Sequence, residues 1–125
     1  MADILLIDDM AGVRRAVTSM LKGSGHTVTA AENGAAGLEL LKQRRFDLVI
    51  TDMLMPTLDG SEVLVQLRAL PNRPPVIAIS GGGAGVSADT ALRAARATAD
   101  AFLEKPFERT DLLAAVDKLL AKAPV

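Results

Sequence analysis

The sequence predicts an α/β domain whose parallel sheet is covered by helices on both faces. Three observations predict it. Short β-like runs alternate with helical patterns five times along the chain. Three of those runs are near-continuous aliphatic, as strands buried on both faces are. Half of the 125 residues are apolar, enough for one core in a chain of single-domain length, so residues 1–125 read as one domain.

The β-like runs are Asp3–Ile7, Thr27–Ala31, Leu48–Thr51, Val76–Ser80 and Ala101–Glu104. After the first, Val13, Val17, Met20 and Leu21 recur at helical spacing, and Gly23 with Gly25 ends that helix. Asn33 caps a second helix carrying Leu38 and Leu41. Val63, Leu64 and Leu67 mark a third, closed before Pro71. An alanine-rich fourth runs from Ala88 to Ala99, and Leu112, Leu113, Val116, Leu119 and Leu120 mark a fifth.

Composition excludes several classes of function. With 14 basic and 15 acidic residues the net charge is −1, so no field of one sign draws in DNA or an anionic membrane. Three Phe and no Trp or Tyr leave almost no platform for stacking bases, so no direct nucleic-acid partner is expected. Without cysteine there is no disulfide, no thiolate metal site and no Cys nucleophile. The first residues lack the basic stretch of a signal peptide, and nothing approaches the roughly 20 apolar residues of a membrane span. The expected location is therefore the cytoplasm, with no membrane partner. After Lys122 only Ala-Pro-Val125 follow, so a stand-alone protein and a fragment of a longer one are both open.

In open α/β sheets the ligand site lies beyond the carboxyl ends of the strands, where strand order reverses. Asp8 and Asp9 follow the first strand, Asp52 ends the third, Ser80 ends the fourth, and the fifth runs into Lys105-Pro106. Taken singly, each has a plainer use. Asp8-Asp9 caps a helix, Asp52 forms a turn, Ser80 bonds to backbone, and Lys105 is a solvated charge. Together they put three carboxylates, a hydroxyl and an ammonium at one sheet edge. Clustered carboxylates repel unless a cation sits among them, and hard oxygen ligands suit Mg²⁺. A carboxylate beside Mg²⁺ can accept a phosphoryl group, which a lysine and a hydroxyl can hold.

The pieces Ile4-Leu5-Leu6-Ile7-Asp8-Asp9, Asp52-Met53-Leu54-Met55-Pro56-Thr57-Leu58-Asp59-Gly60, Ser80 and Phe102-Leu103-Glu104-Lys105-Pro106-Phe107 resemble, in order and spacing, the receiver domain of two-component response regulators. The resemblance covers essentially the whole chain. It implies a flavodoxin-like (βα)5 three-layer sandwich with strand order 2-1-3-4-5. It also implies Asp52 as phospho-acceptor, and Asp9, Asp52 and the main-chain carbonyl of Leu54 as Mg²⁺ ligands, with Asp8 completing the acidic pocket. Ser80 and Lys105 match the pair that engages the phosphoryl group, and Ser80 and Phe102 match the switch residues. Phe102 is equally readable as a core residue. The implied function is phosphorelay signalling. A sensor histidine kinase or histidine phosphotransfer protein supplies the phosphoryl group. The surface of the fourth helix, fifth strand and fifth helix then changes for a downstream protein or a covalently attached output domain. The resemblance favours a cis peptide at Lys105-Pro106, where proline lowers its cost.

Pro56, Asp59 and Gly60 read as loop architecture. His26, the only histidine, reads as a solvated side chain at the start of the second strand.

Other functions fit less well. An aspartyl-phosphate phosphohydrolase of the haloacid dehalogenase type has a second Asp two residues after the nucleophile, where this chain has Leu54. A flavodoxin-like cofactor carrier has a hydroxyl-rich phosphate loop where Asp8-Asp9-Met10-Ala11 would repel phosphate. An inactive interaction module would not retain all five polar residues. The chain is thus expected to be a switch rather than an enzyme.

Gly81-Gly82-Gly83-Ala84-Gly85-Val86-Ser87 departs from the receiver pattern and lacks the Gly-Lys-Ser/Thr of a nucleotide loop. Glycine loses most conformational freedom on ordering, so this sequence predicts an ill-protected segment at rest. Amide hydrogen exchange is expected to be fastest over residues 81–88 and to slow there when beryllofluoride and Mg²⁺ are added. Equal protection in both states would separate the loop from the switch.

Overall fold

The computed structural model describes residues 2–52, 66, 67, 69, 73–80, 99–104 and 107–122. They form strands β1 (Asp3–Ile7), β2 (Thr27–Ala31), β3 (Leu48–Asp52), β4 (Val76–Ser80) and β5 (Ala101–Glu104). The helices are α1 (Ala11–Lys22), α2 (Gly34–Gln43) and α3 (Arg109–Lys122), the last being the fifth helical segment of the sequence. All strand pairs are parallel, in one sheet of order β2-β1-β3-β4-β5. This is the flavodoxin-like strand order expected above. The predicted strands coincide with the observed ones, except that β3 runs one residue further and takes in Asp52. Of the third predicted helix, Gln66 and Leu67 are helical and Leu67 is buried. The rest of it, and the fourth predicted helix up to residue 98, lie outside the described residues.

Continuous aliphatic strands arise because both sheet faces are covered and side chains alternate between them. Ile4, Leu6, Leu48, Ile50, Ile77 and Ile79 pack on one face with Val17 and Leu21 of α1 and Leu112, Val116 and Leu119 of α3. Leu5, Ile7, Val49, Val76 and Ala78 pack on the other with Leu38 of α2, Phe46 and Leu67. β2, at the sheet edge, is only partly buried, matching its Thr-Val-Thr alternation.

Helix ends follow their chemistry. Asn33 Oδ1 accepts from the Ala36 N–H at 2.8 Å, which makes it the predicted cap. At the end of α1, Gly25 takes φ +89°, its N–H donates to Lys22 O, and the His26 N–H donates to Leu21 O. That pairing closes the helix with Gly25 in the left-handed conformation, while Gly23 stays right-handed. His26 is half-buried rather than solvated, and its Nδ1 accepts from the Ala2 N–H at 3.2 Å. The turn closed by Gly25 brings the ring against the start of β1.

At the amino edge of the sheet, the Asp3 N–H donates to Asp47 Oδ2 at 2.8 Å and the Asp47 N–H donates to Asp3 O at 2.7 Å. Arg44 pairs with Asp3 and lies over the Phe46 ring, 4.5 Å from its centroid. These contacts tie the segment before β3 to the start of β1.

α2 lies so close to β1 that a Cβ on Gly37 would meet the Ile7 side chain, standing 2.6 Å from Cγ1 and nearer still to Cδ1. Ile7 is fully buried within the α2-side core, where side chains are close-packed, so its displacement disturbs its neighbours. Gly37→Ala is therefore expected to destabilise by about 1–3 kcal/mol through overpacking, although alanine is the better helix former by about 1 kcal/mol. Urea unfolding measures this. Adding Ile7→Val, which removes Cδ1, is expected to recover part of the loss, and a stabilised Gly37→Ala would contradict the packing account.

Candidate acidic metal centre

The carboxyl edge of the sheet gathers the candidate residues through strand register. Ile7 pairs with Thr51 across β1 and β3, so Asp8 and Asp52 leave the two central strands at the same level. β1 has β2 on its other side and β3 has β4, so this is where strand order reverses.

Asp8, Asp9 and Asp52 each offer a carboxylate oxygen, and these oxygens all lie within 4.8 Å of one another. Asp8 is fully buried, Asp52 is 3% exposed and Asp9 is exposed. The cluster is thus two deep carboxylates with a third at the rim. Buried charge is tolerated only when it is hydrogen-bonded, paired or held by a metal. Among the described residues the buried polar or charged side chains are Asp8, Thr51 and Asp52, all at this edge.

Local bonding holds the first carboxylate in place. The Asp8 N–H donates to Ala31 O at 3.1 Å, and Asp8 Oδ1 accepts from the Met10 N–H at 2.9 Å. Arg14 Nη1 donates to the Asp8 main-chain oxygen at 2.7 Å. The capping role open to Asp8-Asp9 is partly realised. Met10 is the N-cap residue and has no side-chain cap bond of its own, while Asp8 takes the Met10 N–H. Thr51 Oγ1 donates to Asp52 O at 3.2 Å, a bond inside the strand that keeps the hydroxyl satisfied in the core.

Ser80 ends β4 opposite Glu104 of β5, one position beyond Ile79, which pairs with Asp52. The backbone therefore brings Ser80 to the same edge. Phe102, opposite Ala78, is half-buried and packs against the α2-side core. Lys105 follows Glu104 directly in sequence. Lys105, Pro106 and the predicted cis bond between them lie outside the described residues. So do Leu54, the loop with Pro56, Asp59 and Gly60, and the glycine-rich segment 81–87.

Two residues here escaped the sequence reading. Arg14 is an ordinary helix residue by pattern, and only its bond to Asp8 links it to the site. Met10 is the one large hydrophobic side chain that stands exposed among the described residues, at 56%. By spacing Met10 stands three residues before Val13 and seven before Val17 and so reads as part of the buried stripe, and only its place at the N-cap, ahead of the first helical turn, leaves it exposed.

Residues 4–117 match the family described as response regulator receiver domain. The chain is similar to the response regulator MprA of Mycobacterium sp. (strain KMS), 35% identical over 119 residues that cover 95% of this chain and 50% of that protein. It is similar to the transcriptional regulatory protein GlrR of Escherichia coli, 32% identical over 122 residues covering 98% of this chain and 27% of that protein. The chain thus spans about half of the one relative and about a quarter of the other. It superposes on a receiver domain protein from Clostridium thermocellum with a TM-score of 0.87 at 30% identity, covering 98% of this chain and 96% of that one.

The oxygen set suits a hard divalent cation. Titration with one is expected to shift the amide resonances of residues 8–10 and 52. Asp9→Ala, at an exposed position, is expected to stay folded. It should weaken binding by more than the roughly tenfold that loss of an outer-shell partner brings. Unchanged affinity in Asp9→Ala would place the cation elsewhere.

Proposed function

Because the chain belongs to the response regulator receiver domain family, we propose that it works as a phosphorylation switch whose phospho-acceptor is Asp52. The observation that carries this reading is a carboxylate only 3% exposed at the end of a central strand, gathered with two others within 4.8 Å. A nucleophilic carboxylate needs a partner for its charge and an open side for the donor, and the buried Asp52 beneath the exposed Asp9 supplies that arrangement.

In this reading Asp9 and Asp52 hold Mg²⁺ together with the Leu54 carbonyl, and Asp8 completes the acidic pocket. The donor set fits the ion, being hard oxygens with an open rim that leaves room for water ligands. When bound, Mg²⁺ neutralises charge on the oxygens of the transferring group. A carboxylate oxygen of Asp52 attacks the phosphorus in line, the bond from phosphorus to the donor breaks, and the donor leaves with its electron pair. Water later hydrolyses the acyl phosphate and regenerates the carboxylate. Ser80 and Lys105 engage the phosphoryl oxygens, by hydroxyl and ammonium respectively.

The signal leaves through Ser80 and Phe102. A phosphoryl group adds up to two negative charges and new acceptor oxygens, which draw Ser80 inward. The half-buried Phe102 changes its packing as the end of β4 moves. The surface of the fourth helical segment, β5 and α3 then differs between the two states.

The donor is a sensor histidine kinase or histidine phosphotransfer protein. The reader is a downstream protein or an attached output domain. The cytoplasm is the matching location, and among the described residues no helix is long and apolar enough to cross a membrane. The reading is a switch that modifies itself, not an enzyme turning over a separate substrate.

Incubation with acetyl phosphate and Mg²⁺ is expected to add one hydroxylamine-labile phosphoryl group per chain, seen by intact mass. Asp52→Asn is expected to abolish it, and chelation of Mg²⁺ to prevent it. Labelling of Asp52→Asn at the wild-type level would refute the assignment.

A further inference from the structure

Asp9 is the exposed member of the acidic cluster, so its direction depends on how the backbone on either side of it is held. Arg14 holds both sides. Its Nη1 donates to the carbonyl of Asp8 at 2.7 Å, and its main-chain N–H donates to the carbonyl of Met10 at 3.0 Å. The second bond is the first turn of α1. The first is possible because side chains on a helix lean toward its amino end, which carries the Arg14 guanidinium back over the loop. The Asp8 carbonyl belongs to the planar peptide that joins Asp8 to Asp9, so fixing its oxygen fixes the plane from which Asp9 starts. The bond is charge-assisted and partly buried, and such bonds are shorter and stronger than neutral ones.

We infer that Arg14 is a positioning residue for the cation-binding loop, acting through the Asp8–Asp9 peptide rather than by touching the ion or the phosphoryl group. The inference rests on the reading of Asp8, Asp9 and Asp52 as the metal site. Arg14 also brings a positive charge to the Asp8–Asp9 loop, which carries two of the three carboxylates, and this second effect has the opposite sign. If the guanidinium acted only as a charge, removing it would strengthen cation binding by relieving repulsion. If it holds the loop, removing it weakens binding, as loss of outer-shell partners does.

Binding of Mg²⁺ to the full chain, followed by amide chemical shifts, separates the two. The same spectra report folding, and they are needed because the chain has no Trp or Tyr to act as a fluorescent reporter. Arg14→Met and Arg14→Gln are both good helix formers without the charge. Each is expected to bind Mg²⁺ about tenfold more weakly than wild type. Arg14→Lys, which keeps a donor and a charge, is expected to recover part or all of that affinity. Phosphorylation by acetyl phosphate is expected to slow in the neutral variants at low Mg²⁺ and to return to the wild-type rate at saturating Mg²⁺. Neutral variants that bind Mg²⁺ as tightly as wild type, or more tightly, overturn the inference. So does a loss that Arg14→Lys does not recover at all. A wild-type chain whose shifts ignore Mg²⁺ overturns the underlying metal-site reading, and this inference with it.

Discussion

The register between β1 and β3 is the constraint on which the rest of the site depends. Ile4 to Ile7 face Leu48 to Thr51 residue for residue, and the two strands then release Asp8 and Asp52 side by side. Side-chain direction alternates along a strand, so a slip of one residue would turn every apolar side chain of β1 to the wrong helix layer. Both layers are fully packed, with Ile4 and Leu6 against α1 and α3 and Leu5 and Ile7 against α2. The core therefore fixes the register, and the register fixes the carboxylates. At the opposite edge the mutual bonds of Asp3 and Asp47 hold the same alignment from the other end. The ion pair of Asp3 with Arg44 is largely exposed and adds little energy, so its contribution is to alignment more than to stability.

The carboxyl edge runs against the logic of the core that positions it. Everywhere else in the described central strands the buried side chains are aliphatic, and here the chain buries Asp8, Thr51 and Asp52. Such a breach of pattern is expected where function requires it. At Asp8 the fold tolerates it through three bonds: the backbone N–H donates to Ala31 O, the backbone oxygen accepts from Arg14, and the carboxylate accepts from the Met10 N–H. A bound cation would offset the remaining repulsion. In the proposed switch, stability and activity would be coupled at one place, since the residues that hold this loop would also set the direction of the carboxylates offered to a cation.

Much of this was legible in the sequence because two periodicities dominate it. Strands buried on both faces read as aliphatic runs with sharp ends, so all five were placed, and β3 gained only Asp52. Asn33 was legible as a cap because its side chain does a local job. The acidic cluster was legible because topology alone sends the ends of β1 and β3 to one edge. Long-range side-chain contacts were not. Which glycine turns left-handed after α1 depends on the closing bond from His26 to Leu21, and so does the half-buried position of that histidine. The roles of Gly37 against Ile7 and of Arg14 against the Asp8 carbonyl belong to the same kind, since neither leaves a periodic trace.

A phospho-acceptor role for Asp52 requires the phosphoryl group to be carried by the carboxylate at the end of β3 and by no other in the cluster. Reductive trapping tests it most directly, because borohydride converts an acyl phosphate to the corresponding alcohol and so marks the residue that bore it. After phosphorylation, trapping and digestion, peptide mass spectrometry is predicted to find homoserine at position 52 in place of Asp52. Homoserine in place of Asp8 or Asp9, or none in a chain that has taken up phosphate, would contradict the account.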